Sequence, residues 1–352
     1  MNKKLATAVA LLACSLALPS LADEGRIPVH TAPTVISESG KYILTRNLLP
    51  VPGDPAIEIT APVVDLDLNG FLVDTTGMNQ PAIHISAVSD VVIRDGSLVG
   101  GGIETAFSGG ANRIVIEDVQ IRDSYGDGMA LQEVVHVELR RNAVLTAQGQ
   151  GMYVTGVAGG SFTGIIEDNV VREAGANGMR LSLGRNLSVR GNQLENTGTV
   201  AATPGLYLSN CAACKIDDNT LLSINGMGIR MNGGTSDTFN GNVIKDAKDH
   251  GFYADSNVFH LSLVDNHIHR STGDAILLDG ADYAVLRNND MIFNTGVGLN
   301  IRPGSAATVY YGNVARANCN GGGPVCPCNP VNVTDFCDEG AGSTDGGGNF
   351  MP

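Results

Sequence analysis

Tyrosine and arginine alternate through the middle of the chain at intervals of 23 or 27 residues, in the series Tyr153, Arg180, Tyr207, Arg230 and Tyr253. Arginine can hold a carboxylate with paired hydrogen bonds. The tyrosine ring can lie against a sugar, and it must serve here because the chain has no tryptophan. A fold that stacks these residues would therefore offer a groove for an acidic glycan. The alternative is a solvated surface on which arginine lies over tyrosine, at about 0.5–1 kcal/mol per exposed contact.

Four residues near the end of this series could also do chemistry on such a glycan. Cleaving a uronate polymer by β-elimination needs a partner for the carboxylate, a base for the C5 proton and an acid for the leaving oxygen. Arg230 could hold the carboxylate with Asn232 beside it, while His250 or Tyr253 moves protons. The same residues would serve C5 epimerisation, in which a proton returns to the other face of the sugar.

His250 has a second interpretation, because it precedes Gly251 at a bend where strict alternation would turn its side chain inward or sideways. Asp274, one repeat later, could then simply hydrogen-bond the histidine ring. Five other histidines show no comparable convergence and are expected to lie on the surface: His84, His136, His260, His267 and His269.

Asp255 and Asp279 are separated by one repeat and predict two neighbouring carboxylates close to Arg302. Such a pair could bind Ca²⁺, or it could supply the acid and the nucleophile of a retaining glycosidase. A solvated pair near Arg302, or an adventitious metal, is the alternative. We therefore expect either no cofactor or Ca²⁺. The predicted substrate-binding residues are Tyr153, Arg180, Tyr207, Asn232 and Arg302.

A short unit that recurs eleven times must position these residues. Its anchor is asparagine in nine units, and the anchors are 23 to 27 residues apart, a period that indicates a solenoid. An asparagine column predicts a structural ladder, because asparagine tolerates left-handed backbone angles and its amide can bond to the same residue one coil away. The anchors are Asn69, Gly96, Val119, Asn142, Asn169, Asn192, Asn219, Asn242, Asn266, Asn289 and Asn313.

Apolar and polar residues alternate with period two inside each unit, which indicates short strands. With the glycine before a strand as position zero, residues one and three point inward and residues two and four point outward. The inward set is Met152, Val154, Met179, Leu181, Leu206, Leu208, Ile229, Met231, Ile276 and Leu278. The outward second positions are Ala130, Tyr153, Arg180, Tyr207, Arg230, Tyr253, Leu277 and Asn300. The outward fourth positions include Asn232, Asp255, Asp279 and Arg302. Two four-residue insertions, near residues 157–162 and 199–204, could wall the resulting groove.

This repeated form, seen in residues 166–171 followed by 178–181, resembles the right-handed parallel β-helix family, the pectate-lyase-like superfamily of secreted proteins. The resemblance covers roughly residues 61–317. It implies an all-β solenoid of about eleven coils with three short strands per coil, and an active cleft along the strand that carries the tyrosines and arginines. The complete signatures of polygalacturonases and alginate epimerases are absent, so the resemblance does not decide the reaction type.

The chain is strongly acidic, with a formal net charge of −14 that becomes about −16 if Lys3 and Lys4 are removed with a leader. Such a surface argues against nucleic acid as a partner. It would also repel an acidic polysaccharide at long range. Binding of such a polysaccharide would therefore require locally concentrated arginine.

The first 22 residues have the charged, apolar and small-residue parts of a secretory signal, which predicts a secreted or periplasmic chain that starts near Asp23. A lipoprotein attached through Cys14 is the alternative, since residues 11–14 form an acceptable lipobox. No later apolar run approaches the ~20 residues of a membrane span. We assign residues 23–60 to an N-terminal cap and first strands, 61–317 to the β-helix, and 318–352 to a Cys/Gly-rich cap or tail.

Six cysteines remain after the leader, an even number that suits an oxidising compartment. Cys211 and Cys214 are predicted to form a local disulfide that staples a bend. The other four lie in the tail and are expected to tie a cap over the last coil: Cys319, Cys326, Cys328 and Cys337.

Together these patterns predict a secreted or periplasmic monomer that binds an acidic, uronate-containing polysaccharide and acts on it as a lyase or C5-epimerase. The first alternative is a non-catalytic adhesion or matrix module that only binds glycan. The second is a glycoside hydrolase that uses Asp255 and Asp279.

Overall fold

The computed structural model describes residues 25–49, 53–86, 90–106, 111–200, 202–318 and 336–349. Over these residues the chain forms a right-handed parallel β-solenoid of about 12 turns without helix, which confirms the predicted fold class. Within the same ranges no helix is long and apolar enough to cross a membrane. The predicted signal segment with Cys14, and the cysteines Cys319, Cys326 and Cys328, lie outside the described residues.

Equivalent strands of successive turns pair in parallel and build three faces, named A, B and C. Face A contains Thr34–Ile36, Ile57–Ile59, Ile83–Ile85, Ile103–Thr105, Met129–Arg140, Met152–Gly156, Met179–Ser182, Leu206–Ala212, Ile229–Thr235, Phe252–Ala254, Ile276–Leu278, Leu299–Ile301 and Phe336–Asp338. Face B contains Ile27–Val29, Gly40–Leu44, Val63–Asp67, Asp90–Val99, Ala111–Ser124, Met129–Arg140, Thr163–Glu167, Ser188–Arg190, Lys215–Asp217, Thr238–Asn240, Ser262–Val264, Val285–Arg287, Val309–Tyr311 and Thr344–Asp345. Face C contains Leu72–Asp74, Asp90–Val99, Ala111–Ser124, Ala143–Ala147, Val170–Ala174, Gln193–Glu195, Thr220–Leu222, Val243–Lys245, His267–His269, Asp290–Ile292 and Val314–Arg316. Three long strands contribute to two faces each, and Val258–Phe259 and Ala281–Asp282 add a short ladder after face A.

The interior is filled by apolar side chains at alternate strand positions. Every residue that the alternation places inward on face A, from Met152 to Leu278, is at most 2% exposed. Burying one such side chain contributes about 1.5–3 kcal/mol. Because each turn covers the next, these side chains form one continuous core along the solenoid axis.

A glycine precedes many strands of face A because the chain passes very close to the neighbouring turn at this corner. A Cβ atom on Gly151 would overlap the side chain of Val171 and the carbonyl oxygen of Gly178. Gly251 meets the same obstacle at Ile268. The glycine column therefore sets the corner from which the outward positions of face A are counted.

The asparagine anchors form the predicted ladder, at the corner that precedes face C. Asn192 is typical: its Nδ2 donates to Asn219 Oδ1 at 2.9 Å and to the Ile166 carbonyl at 2.9 Å, and its backbone N–H donates to the same Oδ1 at 3.0 Å. The ladder runs through Asn142, Asn169, Asn192, Asn219, Asn242, Asn266, Asn289 and Asn313, and Asn349 continues it. Each amide thereby pairs buried polar groups that would otherwise be unsatisfied.

The expectation that the ladder asparagines adopt the left-handed angle holds for Asn69, with φ 50°, but is wrong for the later anchors that the structure describes. There the residue before the asparagine has the positive φ, for example Asp168 at 56° and Asp218 at 55°. Because the preceding residue makes the left-handed turn, the asparagine side chain can point along the solenoid axis toward the next turn.

Cys211 and Cys214 are free thiols, so the prediction of a local disulfide is wrong. Cys211 lies at an inward position of the strand Leu206–Ala212, and both side chains are buried in the core. A hydrogen bond with Cys214, together with burial, raises the pKa of the Cys211 thiol. The thiolate that disulfide formation requires is therefore disfavoured. Cys337, in the tail, is disulfide-bonded.

Candidate functional site

Face A brings Tyr153, Arg180, Tyr207, Arg230 and Tyr253 into one column, each paired in register with the next. All five are half-buried on the outer surface. Because neighbouring parallel strands lie about 4.8 Å apart, the column spans about 19 Å. The alternation and the glycine corner thus predicted this arrangement correctly, and we call it the Tyr/Arg column.

Each arginine of the Tyr/Arg column is sandwiched between two tyrosine rings. The Arg180 Cζ lies 5.1 Å from the ring centre of Tyr153 and 5.6 Å from that of Tyr207. The Arg230 Cζ lies 5.7 Å from the ring centre of Tyr207 and 5.6 Å from that of Tyr253. These contacts hold both guanidinium groups in place before any ligand arrives.

The two arginines differ in their charge partners. Arg230 Nη2 donates to Asp255 Oδ2 at 2.7 Å, so its charge is neutralised within the protein. Arg180 has no ion pair among the described residues, although its charge acts on the carboxylate of Asp127. Arg180 is therefore the cation of the column that can take up a carboxylate from outside.

A depression of about 300 Å³ lies over the middle of the Tyr/Arg column. Residues from the insertion near 199–204 form part of its wall, as expected. It is lined by Asn177, Arg180, Thr203, Pro204, Tyr207 and Arg230. The other insertion lines a separate depression of about 300 Å³, where residues 159–161 face Leu183, Gly184 and Arg185 at the far edge of the same strands.

The column closes at both ends sooner than predicted. Leu277 and Asn300, placed outward by the alternation, are only 1% and 6% exposed. Asn300 Nδ2 donates to Asp274 Oδ2 at 2.8 Å, which turns this side chain away from solvent. Ala130, at the other end, is 5% exposed.

His250 and Tyr253 lie together at the C-terminal end of the column, with ring centres 5.9 Å apart. The backbone N–H of Asp274 donates to His250 Nδ1 at 2.9 Å, so this nitrogen is an acceptor and the proton resides on Nε2, 3.5 Å from Asp249 Oδ1. The second interpretation of His250, a sideways residue bonded to Asp274, thus describes its position. In this state His250 can donate a hydrogen bond through Nε2, but Nδ1 cannot take up a proton without losing its bond to the Asp274 N–H.

Tyr253 donates to Asp279 Oδ2 at 3.4 Å. Burial, with added repulsion from Asp255 and Asp279, raises the pKa of Tyr253. The phenol therefore stays protonated at neutral pH and can act as a hydrogen-bond donor or an acid rather than as a base.

Asp255 and Asp279 stand side by side on successive turns, as predicted, but each has an arginine partner. Asp255 pairs with Arg230, and Asp279 Oδ2 accepts a hydrogen bond from Arg302 Nη1 at 3.0 Å. Asn232 lies half-buried beside them on face A. The two arginines already neutralise the carboxylate charge that a Ca²⁺ ion would need.

Two carboxylates that the sequence interpretation missed lie at the N-terminal end of the column. Glu104 precedes Ala130 in register, and Ala130 precedes Tyr153, so Glu104 continues the same outward line. Burial, then repulsion from Asp127, raises the pKa of Glu104, although His84 opposes the shift. Burial also raises the pKa of Asp127, against opposing contributions that include the charge of Arg180.

The Asp127 carboxylate is held in a defined position. Its Oδ1 accepts the backbone N–H of Gln150 at 2.6 Å, and a Cβ on Gly149 would overlap this same oxygen. Tyr125 stands nearby, and burial, with repulsion from Glu104, raises its pKa. A cation, two carboxylates with raised pKa and phenol donors therefore share this end of the groove.

The signal for these residues was present in the sequence. Gly102 precedes Ile103 and Glu104 as Gly178 precedes Met179 and Arg180, so counting from this earlier glycine would have placed Glu104 outward. Asp127 precedes Gly128 just as His250 precedes Gly251. What the sequence could not show is the burial that shifts both pKa values.

Comparison with protein families identifies one match over most of the chain. The model described as "Right handed beta helix region" matches residues 73–203 and 204–335. No curated protein matches the sequence significantly.

Two solved structures share the architecture of the chain. A variant of the periplasmic alginate epimerase AlgG is similar with a TM-score of 0.56 and 12% identity, over 87% of this chain and 76% of that one. The A-module of the mannuronan C-5 epimerase AlgE4 from Azotobacter vinelandii is similar with a TM-score of 0.51 and 13% identity, over 91% of this chain and 90% of that one. At these identities the similarity concerns the fold.

Proposed function

Since the chain belongs to the right-handed β-helix family, whose model covers most of it, we propose that face A binds a uronate-containing polysaccharide and acts on it as a lyase or C5-epimerase. Structures of the same fold include enzymes described as alginate and mannuronan C-5 epimerases, whose substrates are uronate polymers. We also propose that the protein is a monomer and that it works outside the cytoplasm, where such polymers occur. The leader-like N-terminus and the periplasmic relative AlgG support this location.

One observation carries the proposal: Arg180 is fixed between two tyrosine rings, has no ion pair among the described residues and lines a depression, while its charge acts on the carboxylate of Asp127, whose pKa burial raises. The net charge of −14 would repel an acidic polymer. Exposing an uncompensated arginine on such a surface makes sense where an anion binds. The flanking tyrosine faces suit the apolar faces of the adjacent sugars.

The reaction proposed here is removal of the C5 proton from a uronate whose carboxylate lies on Arg180. The ionised Asp127 carboxylate accepts this proton, and the C–H electron pair moves into an enediolate whose extra charge Arg180 stabilises. A raised pKa makes Asp127 a stronger base than an exposed aspartate, and Glu104 beside it can take up and release the transferred proton.

The second half of the reaction decides between the two outcomes. In elimination, the enediolate electrons form the C4–C5 double bond, the C4–O4 bond breaks, and the Tyr153 hydroxyl donates a proton to the leaving oxygen. In epimerisation, the same hydroxyl donates its proton to C5 from the opposite face, and no bond of the polymer breaks. The residues support both routes, and the position of the O4 atom relative to Tyr153 would select one.

Arg230, His250 and Tyr253 form a second candidate centre at the other end of the column. Both His250 Nε2 and the Tyr253 hydroxyl are donors, while Arg230 is already paired with Asp255. This set therefore suits the binding of further sugar hydroxyls better than the removal of a proton. We assign these three residues to substrate binding, and proton removal to Asp127.

The test is to incubate the purified protein with alginate, pectate and glycosaminoglycans and to follow three signals. Ultraviolet absorbance of an unsaturated uronate would show elimination, and a changed proton spectrum at C5 without chain cleavage would show epimerisation. New reducing ends without the ultraviolet signal would show hydrolysis and would contradict the mechanism. Retention of a glycan without any turnover would establish the alternative of a binding or adhesion module.

Paired variants locate the reaction within the groove. Asp127→Asn and Glu104→Gln should abolish turnover while leaving the glycan bound. Tyr253→Phe and His250→Gln should weaken binding but retain turnover at saturating substrate. The reverse pattern would place the chemistry at the C-terminal centre instead.

A further inference from the structure

Face C carries a cluster that is separate from the groove on face A. His267 and His269 occupy alternate positions of the strand His267–His269, so both side chains point to the same side. The next turn places Asp290 directly beside His267 in register. The expectation that these two histidines do not converge with other groups is therefore wrong.

The donor atoms of these three residues are spaced as ligands of one ion. His267 Nδ1 lies 3.6 Å and His269 Nε2 lies 3.4 Å from Asp290 Oδ2, and one ligand atom from each residue lies within 4.8 Å of the others. Two ligands at about 2.0–2.1 Å from a tetrahedral Zn²⁺ ion are about 3.3–3.4 Å apart. The two separations from Asp290 Oδ2 are thus close to the edge of such a tetrahedron, and the two histidine nitrogens lie within 4.8 Å of each other.

The cluster also leaves polar atoms unsatisfied. His269 Nε2 and Asp290 Oδ1 are buried atoms that have no hydrogen-bond partner in the part of the chain that the structure describes. A buried polar atom without a partner is unfavourable, and an ion at the site is one of the recognised explanations.

We propose that His267 Nδ1, His269 Nε2 and an Asp290 carboxylate oxygen bind one Zn²⁺ ion, with the fourth position open to water. Two neutral imidazoles and one carboxylate suit zinc and its transition-metal neighbours rather than Ca²⁺ or Mg²⁺, which prefer oxygen alone. The ion would join two successive turns on face C. This site is independent of the function proposed for face A.

One neighbouring charge opposes the ion. Lys245 is paired in register with His269 on the preceding turn, so its ammonium group lies on the same side of face C. Repulsion from Lys245 should weaken cation binding without preventing it, because the long side chain can turn toward solvent or toward Asp246, whose pKa it helps to lower. Replacing Lys245 by glutamine should therefore tighten the site.

The experiment titrates Zn²⁺ into the full-length protein, prepared without a histidine tag and stripped of metal, and measures stoichiometry and affinity by calorimetry. We expect one ion per chain. His269→Asn and Asp290→Asn should each weaken binding more than about tenfold, because even loss of an outer hydrogen-bond partner of a ligand costs about 10–100-fold. Lys245→Gln should strengthen binding. His136→Asn is the matched control, since His136 Nε2 faces only the carboxylate of Glu138, at 3.5 Å.

Two further measurements separate a specific site from loose surface binding and from misfolding. Co²⁺ should give the visible absorption of a tetrahedral site in the wild type and in His136→Asn, but not in Asp290→Asn. Thermal unfolding without metal should be the same for all variants, and Zn²⁺ should raise the Tm only where the site is intact. Equal Zn²⁺ affinity in the wild type and in both ligand variants would overturn the proposal.

Discussion

Replacing Arg180 by glutamine tests the proposed groove at its central residue. The side chain keeps a similar length and polarity but loses the charge and the paired donors. Charge-assisted hydrogen bonds to a carboxylate contribute about 1.5–3 kcal/mol. At about 1.4 kcal/mol per factor of ten, Arg180→Gln should weaken binding of a uronate oligosaccharide by about 10–140-fold. Arg180→Lys should give an intermediate loss, because it retains the charge without the planar fork.

The assay measures equilibrium binding of the same oligosaccharide with its carboxylates intact and with them reduced to alcohols. Arg180→Gln should lose affinity for the charged ligand only. The effects of the Arg180 substitution and of carboxylate reduction on the binding free energy should therefore not be additive. Arg172→Gln is the matched control: Arg172 is exposed on face C, is ion-paired with Glu195 at 3.0 Å, and should not alter binding. Equal binding by Arg180→Gln and Arg172→Gln, or an equal loss for the reduced ligand, would refute the carboxylate assignment.

Arg180 should also control the pH dependence of the reaction. Its charge lowers the pKa of Asp127, against the larger raising effect of burial. Removing that charge should raise the pKa of Asp127 further. Because Asp127 must be ionised to accept the C5 proton, the rising limb of the pH–rate profile of Arg180→Gln should move to higher pH. A shift to lower pH would show that Asp127 is not the base.

Three further predictions concern the base, the ladder and the core. Asp127→Asn should lower kcat by about 10²–10⁴-fold, the usual contribution of a general base, with glycan affinity nearly unchanged; a parallel loss of affinity would show that Asp127 binds rather than reacts. Asn219→Ala should destabilise the fold by about 3 kcal/mol or more in urea unfolding, because several buried groups lose partners. Asn225→Ala removes only one part-buried hydrogen bond, to the Gly198 carbonyl, and should cost about 1 kcal/mol. Burial raises the pKa of Asp237 to about 6, compared with 3.8 in the unfolded chain. Between these two values the native state binds one more proton than the unfolded state. The stability of the wild type should therefore fall as the pH rises from about 4 to 6. Asp237→Asn should remove this dependence and raise the Tm at pH 8; an unchanged pH profile would show that Asp237 is not its source.

The sequence predicted those features that repeat in every turn. Burial of Leu181, Leu208 and Met231 requires an apolar residue at every second strand position. The corner at Gly151 or Gly251 leaves no room for a side chain and so requires glycine. Both requirements recur in successive turns and therefore appear in the sequence as a periodic pattern. The outward residues follow from the same count. This is why the Tyr/Arg column could be predicted from one sequence without knowledge of contacts.

The features that the sequence did not predict depend on side-chain contacts between turns. Nothing in the local pattern distinguishes Arg230, which pairs with Asp255, from Arg180, which has no ion pair among the described residues. The free thiols of Cys211 and Cys214 depend on both side chains turning into the core, which their spacing does not reveal.

The metal-binding residues could have been found by counting, since Asp290 follows His267 by one 23-residue unit. The same one-turn spacing that produces the Tyr/Arg column on face A brings His267 and Asp290 together on face C. An outward column on any face of a solenoid has the same one-turn spacing, so every face should be searched for side chains that converge only after stacking.

The solenoid separates the residues that hold the fold from those that face a ligand. Each turn is held by inward residues and by the ladder, where Asn192 and Asn219 pair without contact to the outer surface of face A. The outward residues contribute little to that framework, since an exposed tyrosine–arginine contact is worth only about 0.5–1 kcal/mol. Substitutions at Arg180 or Tyr253 should therefore alter ligand binding without unfolding the chain. A substitution at Asn219 should instead destabilise the fold, because it removes hydrogen bonds of the ladder. This separation explains how one repeated framework can carry both the glycan groove that we propose on face A and the metal site that we propose on face C, each defined by a few outward side chains.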